Sequence, residues 1–297
     1  MKLKNRSKAA IVLSILKYTV LGVGAIIMIL PFFDMFIGAL RTPAERLARP
    51  PIYWPKTPQW SNYQRVFTEL PMLRWYLNSI VVTCAITFIQ LLTSSMAGFA
   101  LAKYDFKGKK LLFNSVLAAQ MFPFFLFLIP LFFLMRFWPL AGGNNLFGLG
   151  GTGFLGTYTA LIFPFMISWY GIFLMRQFMV SIPTELMEAA RIDGASEFRI
   201  YTHIVLPLIK PALATLGIFI FIYHWNEFIW TMTITRTAND LQTLPVGIFL
   251  LRGAFQTAQT ESLQQAALAV SVVPLIILFL ALQRFYIRGL ATSGIKG

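Results

Sequence analysis

The chain has 297 residues, of which 57% are hydrophobic and 12% are charged. Soluble domains carry about 25% charged residues, so this composition excludes an ordinary soluble domain. The net charge of +14 does not indicate nucleic-acid binding, because the basic residues are scattered over loops between apolar runs. The single cysteine, Cys84, lies in an apolar run, so we expect neither a disulfide framework nor a cysteine metal site.

The N-terminal part predicts a short cytoplasmic N-terminus (1–15), a first transmembrane helix (16–40) and a polar periplasmic segment (41–76). The apolar segment is too long for a cleavable signal, so we expect a retained span with a kink at Pro31. Asp34 is expected near the outer end of this span, because a carboxylate deep in a bilayer is costly.

The rest of the chain predicts a five-helix core (77–287) and a cytoplasmic tail (288–297), which makes an all-α integral membrane protein with six spans. The five further spans are expected at 77–102, 111–137, 158–179, 205–233 and 266–286. The glycine-rich loop 141–156 has no preceding strand and no completing lysine, so we expect a flexible loop and not a phosphate site.

A loop between the fourth and fifth spans (181–207, here the signature loop) contains a charged helix-and-turn pattern. Pro183 suits the first helical position, and Glu188 suits an early turn because the positive end of the helix dipole favours carboxylates. Gly194 is expected to end the helix in the left-handed conformation. The short side chains of Ala189 and Ala190 predict a surface that another protein can approach closely.

The positive-inside rule places this loop and both termini in the cytoplasm. With that orientation, 16 of the 25 Lys and Arg residues are cytoplasmic. Of the 9 outer ones, six lie between Arg41 and Arg74, which is more basic than the rule predicts. Pairing with lipid phosphate and attraction for an anionic ligand are both open explanations.

The spacing of the signature loop resembles a known family. Glu188-Ala189-Ala190, then Gly194 four residues later, then Ile204-Val205-Leu206-Pro207, reproduces the EAA motif of permease subunits of binding-protein-dependent ABC importers. An ordinary interfacial amphipathic helix is the alternative. The resemblance covers nearly the whole chain and is closest to the carbohydrate branch, in particular the smaller, MalG-type permease of maltose-type importers. Its other matching segments are Asn78-Ser79, 100–108, Pro123, Ile129-Pro130, 225–228 and 289–297.

This resemblance implies a type I ABC importer permease that is not an enzyme and binds no cofactor, since ATP and Mg²⁺ are held by separate subunits. The implied partners are a homologous second permease, two cytoplasmic ATPase subunits, a periplasmic or extracellular solute-binding protein, an oligosaccharide and membrane lipid. The loop 235–265 would touch the binding protein. The residues implied to couple to the ATPases are Glu188, Ala189, Ala190, Asp193, Gly194 and Ala195, with Ser293, Gly294 and Lys296 of the tail.

Candidates for the substrate path are Tyr223, Asn226 and Glu227, late in the fifth span. If that span is one helix, Asn226 and Glu227 lie about 30 Å beyond Pro207, close to the outer end. They would line a path for sugar hydroxyls, or else make interhelical hydrogen bonds or anchor the span at the membrane interface. No metal site is expected, since the two histidines have no acidic or cysteine partners at ligand spacing.

Two other function classes have requirements that this sequence does not meet. A self-powered transporter or channel needs an intramembrane ion relay, for which Asp34 and Glu227 are too few. A membrane hydrolase or transferase needs a catalytic pair, and no such cluster is evident. The sugar itself is left open between an acidic, alginate-type oligouronate, which would suit the basic first loop, and a neutral maltodextrin-like oligosaccharide.

Overall fold

The computed structural model describes residues 8–236, 238–254 and 258–293. Within these ranges, three helices are long and apolar enough to cross a membrane, namely Val12–Gly38, Met72–Lys103 and Thr260–Ala281. Three bent helix pairs pass the same test, namely Lys109–Ala119 with Phe124–Arg136 (97°), Tyr158–Phe165 with Trp169–Val180 (44°), and Glu197–Leu208 with Lys210–Trp225 (78°). Counting each bent pair as one span gives six at the predicted places, so the all-α, six-span prediction is confirmed.

The chain divides into two compact units. One comprises Met1–Met72 and Ile248–Val273, and the other comprises Leu73–Gly247 and Pro274–Gly297. Residues 248–273 thus group with the N-terminal part in this division.

The first unit contains one long apolar helix and the segment that follows it. Its helices are α1 (Lys8–Gly38), α2 (Pro43–Leu47) and α3 (Ser61–Glu69). The helix α1 continues through Pro31, and Asp34 near its end pairs with Arg41 at 2.7 Å. A capping box starts α2, because Glu45 and Thr42 exchange side-chain to backbone hydrogen bonds.

The second unit holds most of the remaining helices. In chain order they are α4 (Met72–Lys103), α5 (Lys109–Ala119), α6 (Leu128–Arg136), α7 (Tyr158–Ile162), α8 (Trp169–Val180), α9 (Glu185–Ile192), α10 (Glu197–Ile200), α11 (Leu206–Leu208), α12 (Lys210–Trp225) and α13 (Ile229–Thr235). The last two helices, α14 (Leu244–Ala254) and α15 (Ala258–Ser293), each include residues of both units.

The predicted fifth span, 205–233, is not one helix. The chain bends by 78° at Ile209, between α11 and α12, and α12 ends at Trp225. Proline explains the first break, because Pro211 has no N–H to donate to the carbonyl group four residues earlier and restricts the residue before it. The distance of about 30 Å along a single helix, expected for Asn226 and Glu227, is therefore wrong.

Glycine allows α4 and α8 to pack with their backbones close together. A Cβ atom added at Gly98 of α4 would lie 2.7 Å from the Cβ atom of Met175 and 2.9 Å from the backbone nitrogen of Arg176, both on α8. Met175 also belongs to a core of fully buried side chains that includes Ile86 and Met187. The helix α9 of the signature loop is thus anchored in the same core as the spans.

The glycine-rich loop 141–156 contains a turn that is organised around Asn144. The Asn144 side chain donates to the carbonyl oxygens of Arg136 (2.9 Å) and Trp138 (3.0 Å) and accepts from the Gly151 N–H (2.9 Å). At Gly148, with φ +77°, a Cβ atom would collide with the carbonyl oxygen of Phe137. These glycines therefore permit a tight turn around a buried asparagine.

Candidate functional site

The helix of the signature loop has the predicted ends, with one difference. It starts at Glu185, so Pro183 lies just outside it and Thr184, with helical dihedral angles, precedes the first turn. At the other end, Gly194 has φ +78° and donates to the carbonyl oxygen of Arg191 (3.0 Å), while Ala195 donates to that of Ala190 (2.9 Å). This pair of bonds is a Schellman motif, and the predicted left-handed glycine is confirmed.

The two alanines of the motif point in different directions. Ala190 is buried with Met187 in the core of its own chain, whereas Ala189 and Glu188 are exposed. Asp193 and Gly194 are also exposed, and Ala195 is half-buried. The surface open to a partner is therefore formed by Glu188, Ala189, Asp193 and Gly194, together with Ile192, which is 87% exposed.

A charged cluster joins α9 to the next helix and to the end of α4. Arg191 on α9 donates to Glu197 on α10 through Nε (2.7 Å) and Nη2 (3.2 Å). The hydroxyl group of Tyr104, just after α4, donates to the same carboxylate. Burial, together with this carboxylate, raises the pKa of Tyr104, so the phenol remains protonated and remains a donor. The hydrogen bond to Glu197 raises the pKa of Arg191.

A second set of contacts ties α4 to both sides of α9. Lys103 donates to the carbonyl oxygen of Ile182, which precedes α9. After α9, the hydroxyl groups of Tyr201 and Ser95 lie 2.7 Å apart. The Phe99 ring lies between Tyr104 and Tyr201, with centroids 5.3 and 5.6 Å away. A displacement of α9 would therefore be transmitted to α4 through groups on both of its flanks.

Sequence reasoning missed this cluster. Glu197, which accepts hydrogen bonds from Arg191, lies six residues later in the chain, beyond the turn at Gly194. No local spacing rule pairs residues at this separation. Tyr104 lies 93 residues before Glu197, and no sequence pattern links the two residues. A weak indication was available, namely that Ser196 and Glu197 have the composition of a helix start.

The three candidates for a substrate path have different surroundings. The carboxylate of Glu227 accepts from the backbone N–H groups of Trp230 (2.7 Å) and Thr231 (3.0 Å) and from the Thr231 hydroxyl group (2.7 Å). It therefore caps the start of α13. Asn226 is exposed and donates to the carbonyl oxygen of Ile222 (2.8 Å), and Tyr223 is 60% exposed.

The tail candidates cannot be placed in the same way. Ser293 is the last residue of α15, and Gly294 and Lys296 lie outside the described residues. Across the described ranges, no group of three or more His, Cys, Asp or Glu side chains is arranged to hold a metal ion. His224 is buried and its Nε2 atom lies 3.2 Å from Nε2 of Gln90.

Known transport proteins resemble this chain in sequence. Residues 90–292 match the family model described as "Binding-protein-dependent transport system inner membrane component". Among curated proteins, the arabinooligosaccharides transport system permease protein AraQ of Halalkalibacterium halodurans is 36% identical over 92% of this chain and 93% of that protein. The sulfoquinovosyl glycerol transport system permease protein SmoH of Agrobacterium fabrum is 32% identical over 90% of this chain and 88% of that protein.

A solved structure has the same fold. It is a chain from the crystal structure of a bacterial ABC transporter involved in the import of the acidic polysaccharide alginate. The match has a TM-score of 0.80 and 24% identity, and covers 95% of this chain and 99% of that one.

Proposed function

The chain belongs to the family of binding-protein-dependent transport system inner membrane components, and from this premise we propose that it couples ATP hydrolysis by partner subunits to oligosaccharide import. It is the membrane-spanning permease subunit of an ABC importer. It forms half of the translocation path, and a homologous second permease forms the other half. Two ATPase subunits hold ATP and Mg²⁺, and a periplasmic or extracellular solute-binding protein delivers the sugar.

The observation that carries this proposal is the construction of α9. Its outer face exposes Glu188 and Ala189, its inner face is anchored by Met187 in the core, and its end is tied to α10 by Arg191. A helix held in this way moves as a unit with the spans beside it. Seated in a cytoplasmic ATPase subunit that has an open and a closed arrangement, it would switch the path between inward- and outward-facing states.

We place the signature loop and both termini in the cytoplasm, on the basis of the charge distribution. In this orientation the tail from Ser293 onward reaches the ATPase subunits, and the segment 235–265 faces the binding protein. Membrane lipid surrounds the spans. We propose no cofactor and no nucleic acid as a partner of this chain.

The proposed substrate is an oligosaccharide, in line with the relative named for arabinooligosaccharides. The basic first segment is weak support for an acidic sugar, because four of its five arginines already have carboxylate partners in their own chain. The pairs are Arg41 with Asp34, Arg46 with Glu261, Arg65 with Glu69 and Arg74 with Asp240. We therefore favour a neutral oligosaccharide over an oligouronate.

Reconstitution tests the proposed function. The chain is inserted into proteoliposomes with its partner permease and binding protein, with and without the ATPase subunits, and uptake of radiolabelled arabinotriose and maltotriose is measured. Uptake that requires both the ATPase subunits and ATP supports the proposal. Equal uptake without the ATPase subunits would favour a self-powered transporter, for which Asp34 and Glu227 are poor candidates because Arg41 and the start of α13 already engage them.

A further inference from the structure

A basic pocket of about 470 Å³ lies where α5 begins, beside α8. Three cationic side chains line it, namely Lys109, Lys110 and Arg176, against a single carboxylate, that of Asp105. Phe113 forms part of the wall. The pocket lies outside the signature loop and the path candidates, and nothing in the proposed function uses it.

Its cationic groups are positioned by contacts within the chain. The guanidinium carbon of Arg176 lies 4.1 Å from the centre of the Phe113 ring, and its Nε donates to the carbonyl oxygen of Leu101 (3.3 Å). Lys109 is held by Asp105 at 3.0 Å, while Lys110 is exposed. The lining residues therefore carry two more positive than negative charges, with the arginine fixed in place on an aromatic ring.

The surroundings of the pocket are those of a lipid headgroup. Lys109 and Lys110 are the first two residues of a bent membrane span, so the positive end of the α5 dipole adds to their charge. The next two residues, Leu111 and Leu112, are 74% and 51% exposed. Cations directly followed by exposed apolar surface are typical of the level in a bilayer where phosphate groups meet acyl chains. An acidic protein partner fits less well, because it would also have to cover the two exposed leucines.

We propose that this pocket binds the phosphodiester headgroup of an anionic membrane phospholipid, with the acyl chains along Leu111 and Leu112 of α5. Arg176 and the two lysines neutralise the phosphate. The residues that line the pocket begin at Asp105, just after α4 ends. At that end of α4, Lys103 and Tyr104 contact the signature loop. The lipid would therefore lie in the same leaflet as that loop, which is the cytoplasmic leaflet in the orientation proposed above. The site goes beyond the proposed function, and its test does not depend on transport.

Native mass spectrometry of the assembled, delipidated transporter tests the site. The complex is titrated with dioleoyl phosphatidylglycerol, with dioleoyl phosphatidylcholine and with inorganic phosphate. The variant is the double substitution Lys109→Gln and Lys110→Gln, and the matched control is Lys107→Gln, which removes an exposed cation from the same turn that does not line the pocket. Each lysine near a charged lipid contributes a factor of about five in affinity, so the double variant should bind phosphatidylglycerol about thirtyfold more weakly.

The control should retain nearly all of the affinity for phosphatidylglycerol, because Lys107 does not line the pocket. Unchanged binding by the double variant, or equal binding of phosphatidylcholine by the native complex, would overturn the proposal. Displacement of phosphatidylglycerol by millimolar inorganic phosphate would identify a free-phosphate site and overturn the assignment to a lipid. If the double variant does not assemble, Lys110→Gln alone, at an exposed position, should weaken binding about fivefold.

Discussion

Arg191 and Glu197 lie on two different helices, yet Nε of the arginine is 2.7 Å from Oε1 of the glutamate. The arginine is in the last turn of α9 and the glutamate is the first residue of α10, which leads into the fifth span. The left-handed turn at Gly194 brings them together. The pair therefore links the helix that a partner can touch to the helical segment that leads into the fifth span.

Removal of one partner of this pair tests its role in coupling ATP hydrolysis to transport. Glu197→Ala should lower ATP-driven uptake about fivefold or more, the lower end of usual coupling free energies, because α9 is no longer tied to α10. The free energy of unfolding should change by less than about 1 kcal/mol, since the pair is partly exposed. Uptake in proteoliposomes and thermal unfolding measure the two effects.

The matched control is Arg199→Ala, which removes an exposed charge from the same helix. The exchange of Arg191→Glu with Glu197→Arg should recover part of the lost uptake. Full activity of Glu197→Ala would show that the pair does not transmit motion.

Whether a substitution at Gly194 is tolerated should depend on how readily the new residue adopts the left-handed backbone conformation. An added Cβ atom would meet no atom of this chain within 4 Å, but the residue has φ +78°. Gly194→Val should therefore insert into the membrane normally and lose uptake, because a β-branched residue is strained in the left-handed region by about 1–2 kcal/mol. Gly194→Asn, which tolerates this region, should keep most of the uptake. Normal uptake by Gly194→Val contradicts the account.

The neighbouring alanines should respond differently to the same enlargement. Ala190→Leu should destabilise the permease by about 1–3 kcal/mol, because Ala190 is packed in the core with Met187. Ala189→Leu should leave the stability of the isolated permease unchanged and weaken co-purification of the ATPase subunits, because Ala189 is exposed. Thermal unfolding and pull-down measure both. Equal effects of the two substitutions on stability would show that this division of roles is wrong.

Glu227 should act as a cap and not as a sugar ligand. Glu227→Ala removes three hydrogen bonds at the start of α13 and should lower stability by about 1–2 kcal/mol, with an unchanged half-saturation constant for uptake. The control, Asn226→Ala, removes one bond to the carbonyl oxygen of Ile222 and should leave stability nearly unchanged. A large change in the half-saturation constant for uptake with Glu227→Ala would show that this residue contributes to the substrate path.

The sequence was sufficient for features that depend on local chemistry. Six apolar runs predicted the six spans, and a glycine after a short charged helix predicted the left-handed turn at Gly194. It was insufficient where distant groups meet. The bond from Tyr104 to Glu197 and the burial of Ala190 depend on how α4 packs, and the helical period alone does not give that. The bend at Ile209 was missed because apolar residues lie on both sides of it, although Pro211 was a signal for a break.

The most direct test of the central claim, that α9 is the helix seated in the ATPase, is cross-linking from its outer face. Cys84 is first replaced by serine, and a benzophenone maleimide is attached at Ala189→Cys or, as control, at Phe147→Cys, which is 82% exposed on the loop before the fourth span. In the actively transporting complex, the account predicts an adduct with the ATPase subunit from position 189 and none from position 147. The absence of an adduct from position 189, or an equal yield from position 147, would contradict it.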